Sequence, residues 1–131
     1  MPDWIIPCNP RYYDVFGAFD KFKVLDWHQA NPNMEIGDIV YIYVGAPKQA
    51  IMFKCKVNKV NLSENNVDDS EFAINRGVYD NQRYMELELL KKYSQDVLSV
   101  AVLQEHGVQG RIMGPRRMQL QLREYVSRLE K

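Results

Sequence analysis

Hydrophobic and polar positions are most ordered in two runs near the middle of the chain, Ile36 to Gly45 and Ala50 to Val57. In the first run both parities are apolar: Ile39, Tyr41 and Tyr43 point one way, and Val40, Ile42 and Val44 the other. A strand with that pattern is covered on both faces. The second run alternates, with Ile51, Phe53, Cys55 and Val57 on one side and Lys54, Lys56 and Asn58 on the other, which predicts a strand with one wet face. Gly37-Asp38 opens the pair and Gly45-Ala46-Pro47 separates its strands, so the two runs read as a β-hairpin.

The flanking segments carry weaker patterns. Trp4 to Cys8 reads as a short strand, and Asn9-Pro10 after it, a capping residue followed by proline, predicts a helix start. Tyr12, Val15, Phe16, Phe19 and Phe22 continue at helical spacing as far as about Lys23, with Gly17 leaving room for a close approach. Asp26-Trp27-His28-Gln29 then enters a loop-like segment containing Asn31-Pro32-Asn33. A parity change after Val57 predicts a bulge at Asn58-Lys59. Ser63 to Gln82 is polar and acidic and reads as a long loop, with one helical turn about Glu71 to Ile74. Met85, Leu87 and Leu89 alternate with Glu86 and Glu88 in a further strand. Ser99 to Gly107 reads as a short glycine-capped helix. A final helix is expected from Pro115, with Met118, Leu122, Tyr125, Val126 and Leu129 as its buried stripe. Strands that dominate a chain with three helices predict a mixed α+β domain spanning 1–131, its strands curled into a small barrel.

Composition narrows the function classes. With 131 residues and 46% hydrophobic content the chain supports one core, and it has no apolar run of the roughly 18 residues that a membrane span requires. The expected setting is cytoplasmic. A net charge of +0 argues against gripping a long polyanion by bulk electrostatics. The charge is unevenly spread, however. Seven acidic residues face two basic ones between Leu62 and Leu90, whereas six basic residues face three acidic ones from Gln104 onward. Two histidines, with no Cys/His/Asp cluster at ligand spacing, point to no metal site. Cys8 and Cys55 lie on apolar segments and read as buried, reduced thiols. A Cys8-His28 nucleophilic pair lies in no recognisable motif, and Gly107, Gly110 and Gly114 do not form a phosphate loop.

The remaining chemistry is that of a non-catalytic pocket for a flat nitrogenous ring, which needs an aromatic plane for stacking and hydrogen-bonding groups at the ring edge. Asn9, Asp26, Trp27 and Tyr43 are the candidates to line it, and Arg111, Arg116 and Arg117 are the candidates to hold phosphate. Trp27, in a loop-like segment, either plugs the core or forms a pocket wall. No cofactor is implied. Two other readings use the same residues differently: a sensor for a free nucleoside-like molecule, and a protein-interaction module working through the acidic stretch at Asp68-Asp69.

Several short segments, taken in order, resemble a known family. These are Asn9-Pro10 after the first strand, Asp26-Trp27-His28-Gln29, Ile36 to Ile42, Ala50 to Phe53, Tyr84 to Leu87, and a Gly/Arg-bearing loop before the last helix. Together they resemble the EVE domain of the PUA-like superfamily, which is related to ASCH and YTH domains. The resemblance implies a pseudo-barrel flanked by helices and a partner nucleic acid, DNA or RNA, carrying a modified base such as methylated cytosine, with any effector protein supplied in trans. It matches Trp27 to the family tryptophan after the first helix, and Asn9 to the amide residue at the end of the first strand.

Overall fold

The computed structural model describes residues 3–29, 32–62, 72, 83–110, 112 and 114–129. In chain order its elements are β1 (Asp3–Cys8), α1 (Val15–Lys21), β2 (Val24–His28), β3 (Ile39–Val44), β4 (Ala50–Leu62), β5 (Tyr84–Lys92), α2 (Val100–Glu105), β6 (Arg116–Arg117) and α3 (Leu120–Leu129). The central hairpin is β3 and β4, paired antiparallel from Ile39 opposite Lys56 to Val44 opposite Ala50. One six-stranded mixed sheet is built outward from it in the order β2-β5-β4-β3-β1-β6. β1 runs parallel to β3, while its other neighbour, β6, is antiparallel. The sheet is open, with β2 and β6 at its edges.

As the two-sided pattern of β3 requires, each face of the sheet carries its own core. Val40, Ile42 and Val44 join Trp4, Ile6, Phe19, Leu25, Met85 and Leu87 on the first face, with α1 contributing Val15, Ala18 and Phe19. Tyr41 and Tyr43 join Ile5, Leu98, Leu103, Leu122 and Val126 on the second, beneath α2 and α3. β4 serves both cores because its register breaks. Ile42 lies opposite Phe53, but Tyr43 lies opposite Ile51, so Met52 is an extra residue and parity reverses across it. Ile51 therefore belongs to the second core, while Phe53, Cys55 and Val57 belong to the first, which corrects the single-sided alternation expected for Ile51. The bulge expected at Asn58-Lys59 is present as a register shift between Val57 and Lys59.

Both termini differ from the helical reading for a local reason. Asn9 caps a turn: its Oδ1 accepts from the Arg11 amide at 2.9 Å, and its carbonyl accepts from the Tyr12 amide at 3.0 Å and the Tyr13 amide at 3.3 Å. The α-helix starts only at Val15, where the Asp14 side chain accepts from the Gly17 amide at 3.1 Å. Gly17 provides the close approach its sequence position suggests, since a Cβ there would lie 2.8 Å from the Phe72 ring. Near the C-terminus, Arg116 and Arg117 extend as β6 along Trp4 and Ile5, and the Met118 amide donates to the Asp3 carbonyl at 2.7 Å. The last helix therefore starts at Leu120 rather than Pro115. The loop expected over Ser63 to Gln82 lies outside the described residues apart from Phe72.

One buried carboxylate ties the hairpin to β1. Asp38 is 1% exposed, and its Oδ2 accepts from the Trp4 indole at 3.0 Å and from the Glu35 amide at 2.9 Å. Its backbone closes the hairpin end, where the Val57 amide donates to the Asp38 carbonyl at 2.9 Å. Removing the carboxylate strands the buried Trp4 indole N–H, at a cost on the order of 1–3 kcal/mol, and takes the partner from the part-buried Glu35 amide as well. Asp38→Ala is therefore expected to lower unfolding free energy in a denaturant titration by about 3 kcal/mol. A loss of a few tenths would show that the indole and amide find other partners.

Candidate base-binding site

Trp27 lies on the edge strand β2 rather than in a loop, paired with Met85 of β5. Its side chain shares the Leu25 side of the strand and packs, half-buried, against the first core. The Tyr13 ring meets it edge-on, with centroids 5.6 Å apart and planes at 81°. Edge-on pairing is one of the arrangements that aromatic rings prefer, and it fixes the two rings relative to each other. Asn9 contributes from a distance, because the turn it caps delivers Tyr13 to Trp27.

Polar groups gather beyond Trp27 on the same side of β2. The Gln29 amide donates to the Arg83 carbonyl at 2.9 Å, which extends the β2–β5 ladder one step and keeps Gln29 in phase with Trp27. Gln29 is 8% exposed. Its Oε1 accepts from the Asn61 amide at 2.7 Å, and its Nε2 donates to Asn61 Oδ1 at 3.4 Å. Arg83 donates to the same Asn61 oxygen at 3.3 Å. Asn61 has φ 58°, a left-handed conformation that asparagine tolerates better than most residues. That conformation turns its N–H toward the Gln29 side chain. Two primary amides and a guanidinium thus cluster about Gln29, two residues along from Trp27 and in phase with it, and such groups can pair with the edge of a heterocycle.

The other candidates lie elsewhere. Asp26 is buried and, one residue from Trp27 on an extended strand, takes the opposite side, across from Glu86. Tyr43 is buried in the second core, on the far face of the sheet from Trp27, and burial pushes its hydroxyl pKa up. Arg116 and Arg117 alternate sides on β6, at the edge of the sheet opposite to β2 in strand order. The Arg117 guanidinium lies 5.3 Å from the Trp4 ring centroid, and Arg116 donates to the Gln109 carbonyl at 3.1 Å. Arg111 lies outside the described residues. Tyr13, Gln29, Asn61 and Arg83 were not singled out from sequence. The available signal was the two-residue spacing of Trp27 and Gln29, which has meaning only once the segment is read as a strand.

Among the described residues no group of three or more His, Cys, Asp or Glu side chains could hold a metal, and no helix is long and apolar enough to cross a membrane. Both cysteines are buried and unpaired. Burial, with a smaller contribution from the Asp14 carboxylate, pushes the Cys8 thiol up to about 12, and burial pushes Cys55 higher still. A thiol held neutral to that pH is a poor nucleophile.

The sequence matches no family profile and no curated protein. Solved structures are similar to it over nearly its whole length. Human THYN1 in complex with 5-methylcytosine-containing DNA aligns with a TM-score of 0.67 at 12% identity, covering 100% of this chain and 98% of that one. ASCH from Zymomonas mobilis aligns at 0.62 with 10% identity, covering 95% and 94%. A Pseudomonas putida protein aligns at 0.67 with 12% identity, covering 98% and 99%. The chain shares its fold with these proteins, an open six-stranded mixed sheet flanked by helices. That agrees with the order of segments from Asn9-Pro10 to the last helix, although those segments are embedded here in an otherwise divergent sequence.

The two buried thiols set an alkaline limit on stability. In the unfolded chain each ionises from about pH 9, whereas in the fold it holds its proton to about pH 12 or beyond. The folded state therefore binds more protons in that window, and stability falls as pH rises through it. Between pH 8 and 10 the fall is about 1 kcal/mol per thiol. In urea titrations the Cys8→Ala/Cys55→Ala variant should lose correspondingly less stability over that range than the parent. Equal losses would refute the assignment.

Proposed function

We propose that this chain is a non-catalytic nucleic-acid-binding module that accepts a modified base, of the methylated-cytosine type, against Trp27. Gln29 and Asn61 read the base edge, and Tyr13, held by the turn at Asn9, fixes the plane of the indole. The observation that carries this reading is the half-buried Trp27 ring with Tyr13 edge-on and the Gln29–Asn61 amide pair in phase beside it. The fold shared with THYN1, whose structure contains 5-methylcytosine DNA, supports the choice of ligand class.

Magnitudes favour a single-stranded target. Stacking one base on an aromatic side chain is worth about 1–3 kcal/mol, and extruding a paired base costs a few kcal/mol, so the two nearly cancel on a duplex. Nor does a chain with net charge +0 offset that cost by bulk attraction. A methyl group in an apolar pocket adds discrimination of roughly tenfold or more.

Fluorescence polarisation with single-stranded oligonucleotides containing one 5-methylcytosine or one cytosine tests the reading. The methylated strand should bind more tightly, and Trp27→Leu, which retains apolar bulk but removes the plane, should weaken it by about 5- to 150-fold, the equivalent of the stacking term. A folded Trp27→Leu protein with parental affinity would refute the assignment, as would equal binding of both strands.

A further inference from the structure

The second face of the sheet carries a separate site. Between α3 and strands β1, β3 and β4 lies a cleft of about 640 Å³, within the usual size of small-molecule sites. Tyr41 and Ile39 form its apolar side, and Lys54, Arg123 and Arg128 bring three cations to it from β4 and α3. Asp3 and Glu124 are the carboxylates in the lining.

Strand pairing concentrates positive charge here. Lys54 lies opposite Tyr41 on one side and opposite Lys91 on the other, so two lysines are direct cross-strand neighbours. Like charges in that relation are destabilising on their own. Each ammonium lies over a tyrosine ring, Lys54 at 6.0 Å from the Tyr41 centroid and Lys91 at 5.4 Å from that of Tyr93. Both residues therefore present cations along the same face. Asp3 and Glu124 offset this field in part, leaving three cations against two carboxylates in the lining, and the Asp3 Oδ2 is 3.5 Å from Arg123 Nε. Burial raises the Asp3 carboxyl above its ordinary range, even though Arg123 and Lys54 pull it back.

We propose that this cleft is a phosphomonoester site, taking a terminal phosphoryl group joined to a planar body, with Arg123, Arg128 and Lys54 around the phosphoryl and Tyr41 and Ile39 against the body. A dianion matches three cations lining one cleft better than a carboxylate does, and arginine suits phosphate through its forked donors. Free nucleotides and the 5′-phosphorylated end of a nucleic-acid strand share this chemistry. The site lies across the sheet from Trp27 and does not depend on the base-binding reading.

Isothermal titration with cytidine 5′-monophosphate, cytidine and inorganic phosphate, and with one oligonucleotide bearing a 5′-phosphate or a 5′-hydroxyl, tests the proposal. Cytidine 5′-monophosphate should bind and cytidine should not; preference for the 5′-phosphorylated strand over the nucleotide would assign the strand end as the source. Arg128→Glu, at a solvent-accessible position of α3 that lines the cleft, should weaken binding at least tenfold. Asp3→Asn should tighten it several-fold by removing the competing carboxylate and releasing Arg123. Trp27→Leu should leave it unchanged, which separates failure of this site from failure of the other. Absence of binding by every phosphorylated probe, equal binding of cytidine and its monophosphate, or parental affinity in a folded Arg128→Glu protein would each overturn the proposal. Should Arg128→Glu fail to fold, Arg128→Gln and the opposite-sign effect of Asp3→Asn decide the matter.

Discussion

Every larger feature of this fold follows from the burial of β3 on both faces. A strand whose successive residues are all apolar cannot leave either side to water without exposing several large side chains. One layer of helix is therefore insufficient. Val15, Ala18 and Phe19 of α1 close one side, while Leu103 of α2 and Leu122 and Val126 of α3 close the other. The neighbouring strand meets the same demand by changing parity at Met52, so that Ile51 and Phe53 enter different cores despite their two-residue spacing. Trp4 and Asp38 lock this arrangement from the side, because their hydrogen bond joins β1 to the turn that begins the hairpin.

Covering the sheet twice also separates its chemistry. The aromatic and amide groups around Trp27 lie with the first core at the β2 edge, while the cations of the α3 cleft lie on the second face. On the functions proposed above, a stacking ring and a phosphoryl group would find different surfaces of one sheet. The side of the sheet decides which residues are available to either. Tyr43 and Asp26 have suitable chemistry, but Tyr43 lies in the second core and Asp26 takes the opposite side of β2 from Trp27, whereas Tyr13 packs with Trp27 on the first face.

Sequence pattern is informative where a period repeats often enough to be seen. The hairpin, the alternation of β5 and the capped α2 each have several concordant positions, and all three are present. β2 escaped because it has only five residues, too few for its alternation of Leu25 and Trp27 with Asp26 to stand out beside the loop-like Asn31-Pro32-Asn33. β6 escaped because two arginines carry no period, and their strand identity comes wholly from pairing with Trp4 and Ile5. Asn9-Pro10 does begin a hydrogen-bonded turn, but the chain resets at Asp14, whose amide donates to the Phe72 carbonyl at 2.7 Å. Trp27 was visible as a candidate by residue type alone. Gln29 and Asn61 were not, since their meeting depends on strand pairing and on one left-handed backbone position far apart in sequence.

The two tryptophans give a direct test of where a ligand enters. Trp4 is 2% exposed and hydrogen-bonded to Asp38, whereas Trp27 is half-buried beside Tyr13. In a ¹⁵N-labelled protein each indole N–H gives its own resonance, and the pair can be assigned with one substitution. Titration with a single-stranded 5-methylcytosine oligonucleotide should shift the Trp27 indole signal and leave that of Trp4 in place. A Trp27 signal that stays fixed while the oligonucleotide binds would contradict the account.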